Sequence, residues 1–180
     1  MMQMYGRLLS YDEIDELDHV DSRPMQAIQY TNKALILDFD DTLRYSVGKN
    51  RWPEKPDDVR ILPNRTEVLK KYADDGWLLL GASNQSAISK GLSTEDCIKC
   101  FEETVKLLNI EIQYKYCPHS SNPVSCCCRK PLPGIGAYWT YIHRLDPSQC
   151  IMVGDAKSDK EFAENCGFQY QTPEQFFSKC

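Results

Sequence analysis

The hydrophobic positions of this chain fall into strand-length runs separated by segments of helical period. Ala34–Leu37, Trp77–Ala82 and Cys150–Val153 are continuous apolar runs, the pattern of strands covered on both faces of a parallel sheet. Ile110–Tyr116 alternates apolar and polar groups and reads as a further strand. Between these runs, Val68, Leu69 and Tyr72 form a stripe that ends at Gly76, entered through Asn64-Arg-Thr-Glu67, which has the form of a helix cap with an acidic third partner. A second helix is predicted from Thr94, with Ile98, Phe101, Val105 and Leu108 on one face. A third spans Ile135–Leu145, with Tyr138, Tyr141 and Ile142 turned inward. A fourth runs from Ser158 to Cys166 and stops at Gly167. Phe168–Tyr170 reads as a short edge strand, and the last ten residues as a frayed helix or tail. Strands alternating with helices predict an α/β fold: a doubly wound, mainly parallel sheet between two helical layers.

Three segments lack that alternation. Met1–Asn32 has no clear period; its Tyr11–Asp18 stretch is strongly acidic, and it reads as an acidic N-terminal extension ahead of a domain spanning 33–180. Arg44–Leu62 carries Trp52-Pro53, Lys55-Pro56 and then Leu62-Pro63, a proline density that predicts an irregular loop. That loop follows Asp38 and Asp40 directly and is placed at the rim of whatever they form, with Arg44, Lys49 and Arg51 as candidate anion contacts. Cys117–Lys130 is a loop dense in metal-binding side chains.

Composition narrows the options. A net charge of −5 leaves no overall basic field for nucleic acid, so a polynucleotide partner is not favoured, although a local basic patch could still serve one. No apolar run reaches the length of a membrane span, and the first ten residues do not form a secretory signal, so a cytoplasmic location is the expectation. Nine cysteines, an odd number in a chain with no export signal, point to thiolate–metal chemistry rather than disulfides for those that cluster. Cys97, Cys100, Cys150, Cys166 and Cys180 read instead as small core or surface residues.

The chemistry gathers at the strand ends. Asp38 and Asp40 leave the first strand on the same side while Phe39 turns away. Ser83 and Asn84 follow the second strand, and Asp155, with Asp159, follows the last. In a parallel sheet these ends lie together, and hard oxygen ligands of this kind suit Mg²⁺. A carboxylate beside the metal can attack phosphorus, a second can exchange protons with the leaving oxygen and the attacking water, and Ser83 and Lys130 can hold the remaining phosphoryl oxygens.

In order, Asp38-Phe-Asp-Asp-Thr42, Ser83, Lys130 and Gly154-Asp-Ala-Lys-Ser-Asp159 resemble the four motifs of the haloacid dehalogenase superfamily of phosphotransferases, over roughly Lys33–Phe168. The resemblance implies Asp38 as nucleophile, Asp40 as general acid and base, and Mg²⁺ held by Asp38, Asp155 and the backbone carbonyl of Asp40. It also implies that Asp159 and Thr42 act through neighbouring groups rather than on substrate. Asp41 stands where many members carry glycine and others carry aspartate.

Within the loop, Cys117-x-His119 and Cys126-x-Cys128 supply three thiolates and one imidazole, a complete set for a closed, structural Zn²⁺ site, with Cys127 directed away. A long loop with prolines has no core of its own, and a metal can fold it. This loop, followed by Arg129-Lys130-Pro131, resembles the zinc-containing heptose-bisphosphate and histidinol-phosphate phosphatases of the superfamily, which carry minimal caps. That likeness implies that Asn84 positions the general acid and Arg129 contacts substrate. It implies a Mg²⁺-dependent monoesterase for a small phosphorylated sugar or alcohol. A rival likeness lies in Trp52–Pro63, which is similar to polynucleotide 3′-phosphatase domains of the same superfamily. A third alternative is a non-catalytic, zinc-stabilised binding module on the same frame, against which the intact acid pair and Lys130 argue.

Overall fold

The computed structural model describes residues 29–123 and 126–178, together with two short N-terminal strands, Gln3–Met4 and Arg7–Leu8, that pair antiparallel. The acidic stretch expected at Tyr11–Asp18 lies outside the described residues, as does Cys180. Thr31 and Asn32, at the end of the expected extension, are tied to the body: both backbone amides donate to the Arg144 carbonyl, at 3.0 and 3.1 Å.

Five parallel strands make the central sheet: β1 (Ala34–Leu37), β4 (Leu78–Asn84), β5 (Gln113–Cys117), β6 (Ile151–Val153) and β7 (Gln169–Gln171), in the spatial order β5-β4-β1-β6-β7. The strand carrying Asp38 is therefore central, and its four residues are all buried. Alternation along β1 divides the core in two. Leu35 and Leu37 pack with Val68 and Leu69 of α1 (Arg65–Asp74), with Phe101 and Leu108 of α2 (Thr94–Leu108), and with Phe176 and Phe177 of α5 (Pro173–Phe177). Ala34 and Ile36 pack with Ile135 and Trp139 of α3 (Gly134–His143) and with Phe162 and Ala163 of α4 (Lys157–Cys166). The fold is the expected three-layer arrangement, with helices on both faces of a parallel sheet.

Several local expectations are corrected. The rim segment is not wholly irregular: β2 (Arg44–Ser46) and β3 (Val59–Ile61) pair antiparallel and carry the proline-rich turn between them. Asn64 adopts a left-handed conformation, with φ 66°, and its side chain makes no cap hydrogen bond, so the predicted reciprocal cap does not form. The buried side of α2 runs through Cys97, Phe101, Thr104 and Leu108, leaving Ile98 and Val105 half-buried. In α3 the predicted inner residues face outward: Tyr138, Tyr141 and Ile142 are exposed, and Ile135, Gly136 and Trp139 are buried. The Trp139 indole N–H donates to the Gly81 carbonyl at 3.1 Å, and Gly136 lets Cys166 and Phe162 approach closely. The C-terminal segment is no tail: Thr172 caps α5 and that helix buries both of its phenylalanines.

Candidate active site and thiolate loop

The strand ends converge on one pocket of about 310 Å³, at the carboxyl edge of the sheet. Asp38, Asp40, Ser83, Asn84, Arg129, Lys130, Asp155 and Asp159 all line it, so the predicted site residues are brought together, apart from Thr42. Thr42 is fully buried beneath the turn, and its hydroxyl has no hydrogen-bond partner among the described residues. Asp41, at the tip of that turn, has φ 59°, the left-handed region that glycine enters freely and aspartate tolerates.

Lys130 is the electrostatic centre. It is only 2 % exposed, and its ammonium lies 2.8 Å from Asp38 Oδ1 and 2.6 Å from Asp159 Oδ1. Burial opposes its charge, yet the two carboxylates carry its pKa above the ordinary lysine value. Asp38 behaves oppositely. Burial pushes its pKa up to about 7, with Asp159 and Asp40 adding to the rise and Lys130 opposing it. Burial also raises Asp155, helped by Asp159 and opposed by Arg51. Arg51, on the rim, donates to Asp41 and, at 2.9 Å, to Asp155 Oδ2, so one of the three candidate anion contacts lines the pocket. Lys49 is exposed and does not line the pocket.

Asp159 is locked in place. Its Oδ2 accepts the Ala156 amide at 3.0 Å, and the carboxylate sits where a side chain at position 154 would have to be, which is why Gly154 precedes Asp155. Oxygens of Asp38, Asp155 and Asp159 lie within 4.8 Å of one another. An all-carboxylate set at this spacing fits a hard divalent cation. Both Asp159 oxygens meet protein donors, Lys130 and the Ala156 amide, while Asp38 and Asp155 each meet a side-chain donor on one oxygen, Lys130 and Arg51 respectively.

Asp40 lines the same pocket but is not one of those three carboxylates. Its Oδ1 accepts from Arg44 Nε at 2.8 Å and its Oδ2 from Gln85 Nε2, also at 2.8 Å. The expectation that Asn84 orients Asp40 is corrected: Asn84 instead clamps the Lys130 backbone, accepting its N–H and donating to its carbonyl, each at 3.0 Å. Gln85, which also donates to Ser83 Oγ at 2.9 Å, does what was expected of Asn84. Arg44 is not a solvent-facing anion contact but a buried one, missed because sequence alone gives no burial for an isolated cation.

The loop cysteines also meet. Cys117 Sγ lies 3.4 Å from His119 Nδ1 and 3.6 Å from Cys126 Sγ, and Cys128 Sγ lies 3.3 Å from His119 Nδ1. Zn–S bonds of about 2.3 Å and Zn–N bonds of about 2.0 Å at tetrahedral angles give S···S edges of about 3.8 Å and S···N edges of about 3.5 Å. These three edges match a tetrahedral thiophilic ion to within a few tenths of an ångström, and all four ligand atoms lie within 4.8 Å of one another. Cys127 is exposed, as expected. Cys97 and Cys100 are core thiols whose pKa burial pushes up to about 12 and about 11.

Residues 33–177 match a family model described as polynucleotide kinase 3 phosphatase. The chain is 34% identical over 137 residues to a probable D-glycero-D-manno-heptose-1,7-bisphosphate 7-phosphatase of Thermoplasma volcanium, covering 73% of this chain and 91% of that protein. It is 30% identical over 138 residues to the D-glycero-beta-D-manno-heptose-1,7-bisphosphate 7-phosphatase of Haemophilus influenzae, covering 71% and 73%. Its fold matches that of D,D-heptose 1,7-bisphosphate phosphatase from B. bronchiseptica, a crystal structure with magnesium and phosphate, at a TM-score of 0.69 and 24% identity over 78% of this chain and 79% of that one. The converging carboxylates, the buried lysine and these likenesses agree: the chain belongs to the polynucleotide kinase 3 phosphatase family and is a phosphatase.

Proposed function

We propose that this protein is a Mg²⁺-dependent phosphomonoesterase whose substrate is a small phosphorylated sugar, a heptose bisphosphate being the first choice. The observation that carries the chemistry is Lys130, buried and bridging Asp38 to Asp159, beside Asp155 and at the floor of the pocket. The relatives named as heptose-bisphosphate phosphatases support the substrate class. The magnesium and phosphate in the B. bronchiseptica structure support the metal.

Asp38 attacks the substrate phosphorus and forms an aspartyl-phosphate as the ester oxygen leaves. Asp40 gives its proton to that oxygen, then takes one from the water that attacks the phosphoenzyme and frees inorganic phosphate. Lys130 and Ser83 hold the phosphoryl oxygens, and Asn84 keeps the Lys130 backbone in register. Arg129 lines the same pocket and meets the remainder of the substrate. Mg²⁺, held by Asp38, Asp155 and the Asp40 carbonyl, would neutralise phosphate charge and polarise its oxygens. Asp159 orients Lys130 and the turn before α4.

Zn²⁺ on Cys117, His119, Cys126 and Cys128 has a structural role in the same proposal. The cluster ends two residues before Lys130, so the ion fixes the loop that delivers the lysine. A cytoplasmic location belongs to this reading too, because thiolate ligands stay unoxidised in a reducing compartment.

A second reading has its own support. The family model is described by a polynucleotide phosphatase, and Trp52, on the proline-rich rim, lines the pocket. Hydrolysis of heptose 1,7-bisphosphate, histidinol phosphate and a 3′-phosphorylated oligonucleotide under identical Mg²⁺ conditions ranks the two. A preference for the heptose ester by kcat/KM supports the first reading; a preference for the oligonucleotide replaces it with the second.

A further inference from the structure

Arg44 is among the largest fully buried side chains of the described residues, and it lies next to the catalytic turn rather than in a remote core. Its Nε donates to Asp40 Oδ1 at 2.8 Å. Its Nη1 donates to the Cys100 carbonyl at 2.8 Å and to Thr104 Oγ1 at 2.9 Å, both on α2. Its guanidinium lies over the rings of Phe39 and Phe101, with centroids at 5.4 and 4.7 Å. A buried ion pair of this kind contributes little stability over an apolar side chain of similar volume. The slot between two phenylalanines would suit methionine or leucine, so the guanidinium calls for a reason other than packing.

We propose that Arg44, anchored to α2 through Thr104 and Cys100, is the positioning residue for Asp40, and that it directs the Asp40 proton toward the leaving oxygen. The inference rests on the role given to Asp40 above. A carboxylate offers about four lone-pair sites. Arg44 takes one on Oδ1 and Gln85 takes one on Oδ2. Both are donors, so no proton can sit at either site. The proton that Asp40 transfers is confined to the remaining sites, and Asp40 lines the pocket. Rotation of the carboxyl group would break one charge-assisted bond, so its plane is fixed before substrate arrives. Arg44 is not among the residues lining the pocket; it acts through Asp40.

A positioning role for a proton donor has a signature that a packing role lacks. Expelling an alkoxide needs the proton, whereas expelling a nitrophenolate does not. The comparison uses kcat/KM, which reports the step in which the leaving group departs, on glycerol 1-phosphate and on p-nitrophenyl phosphate. Arg44→Met is expected to lower kcat/KM on glycerol 1-phosphate at least tenfold and on p-nitrophenyl phosphate less than about threefold, part of the roughly 10²–10⁴ that a positioned acid contributes. Thr104→Val keeps the shape of α2 and removes one anchor; it is expected to give the same split at smaller size. Should Arg44→Met fail to fold, Thr104→Val decides alone: a fall confined to glycerol 1-phosphate supports the role, and an equal fall or no change overturns it. Asp40→Asn is the reference. If it shows no split, the assignment of Asp40 fails first. If it shows the split and Arg44→Met lowers both esters equally, the role of Arg44 alone is overturned.

Discussion

Replacing Lys130 with methionine removes the one cation that bridges Asp38 and Asp159, at 2.8 and 2.6 Å, while keeping much of the side-chain volume. Asp159 and the Lys130 side chain are each about 1 % exposed and Asp38 is 8 % exposed, so solvent cannot replace the ammonium. Breaking a buried pair by deleting one partner costs about 3–5 kcal/mol, because an uncompensated charge remains. For a domain of this size that corresponds to a fall in Tm on the order of 10 °C. The loss depends on pH in a defined direction. With Lys130 gone, Asp38, whose pKa burial already raises, regains neutrality by binding a proton, so the deficit is largest at pH 8 and shrinks toward pH 5. Adding Asp159→Asn removes one of the orphaned charges and recovers part of the loss at pH 8, as contacting groups couple non-additively. Urea unfolding in Mg²⁺-free buffer, with zinc retained, measures all four proteins of the cycle. A Lys130→Met penalty below about 1 kcal/mol, or one that does not change between pH 5 and pH 8, refutes the reasoning from burial and charge.

Three further outcomes follow from the same geometry. The Asp38 pKa is raised from 3.8 to about 7, mainly by burial, so the stability this group contributes is complete below its unfolded value and is lost as pH rises toward 7; Mg²⁺-free protein should lose on the order of 2–4 kcal/mol of urea stability across that window, and Asp38→Asn should flatten the slope. Thr42→Val deletes a buried hydroxyl that bonds nothing, so it should leave stability unchanged or raise it by about 1 kcal/mol in thermal melts, whereas a loss above that would mean the hydroxyl has a partner in solution. Removal of zinc should release the segment before Lys130 and lower activity together with hydrogen-exchange protection around residues 117–130; metal analysis of protein purified without chelators should find one zinc per chain, and a value near zero ends the thiolate-site proposal.

The carboxylate-lined edge was legible because the sequence writes it in two independent ways. Apolar runs four to six residues long have the length of covered strands rather than helices, and Asp38, Ser83 and Asp155 stand at their ends. The thiolate set was legible from spacing alone. The orientation of α3 was not: Tyr138, Tyr141 and Ile142 share a helical face as well as Ile135 and Trp139 do, and periodicity does not say which face meets the sheet. Gly136 was the missed signal, since it admits Cys166 and Phe162 against the helix. The C-terminal helix also carried a signal, Thr172-Pro173-Glu174-Gln175, a reciprocal cap with proline at the first turn ahead of Phe176 and Phe177. Asn64 shows the reverse case, a cap pattern that the left-handed backbone there leaves unused. Arg44 and Gln85 could not be assigned from sequence, because their roles depend on where α2 and the end of β4 lie relative to Asp40.

In the proposed reaction Asp38 is the nucleophile that takes the phosphoryl group in the first chemical step. Rapid acid quench of the protein with Mg²⁺ and a turning-over phosphate ester, followed by peptide mass spectrometry, tests it directly. A phosphoryl adduct on Asp38 is expected in the native protein, and neither adduct nor turnover in Asp38→Asn. Native-level turnover by Asp38→Asn, or an adduct carried by another residue, would contradict it.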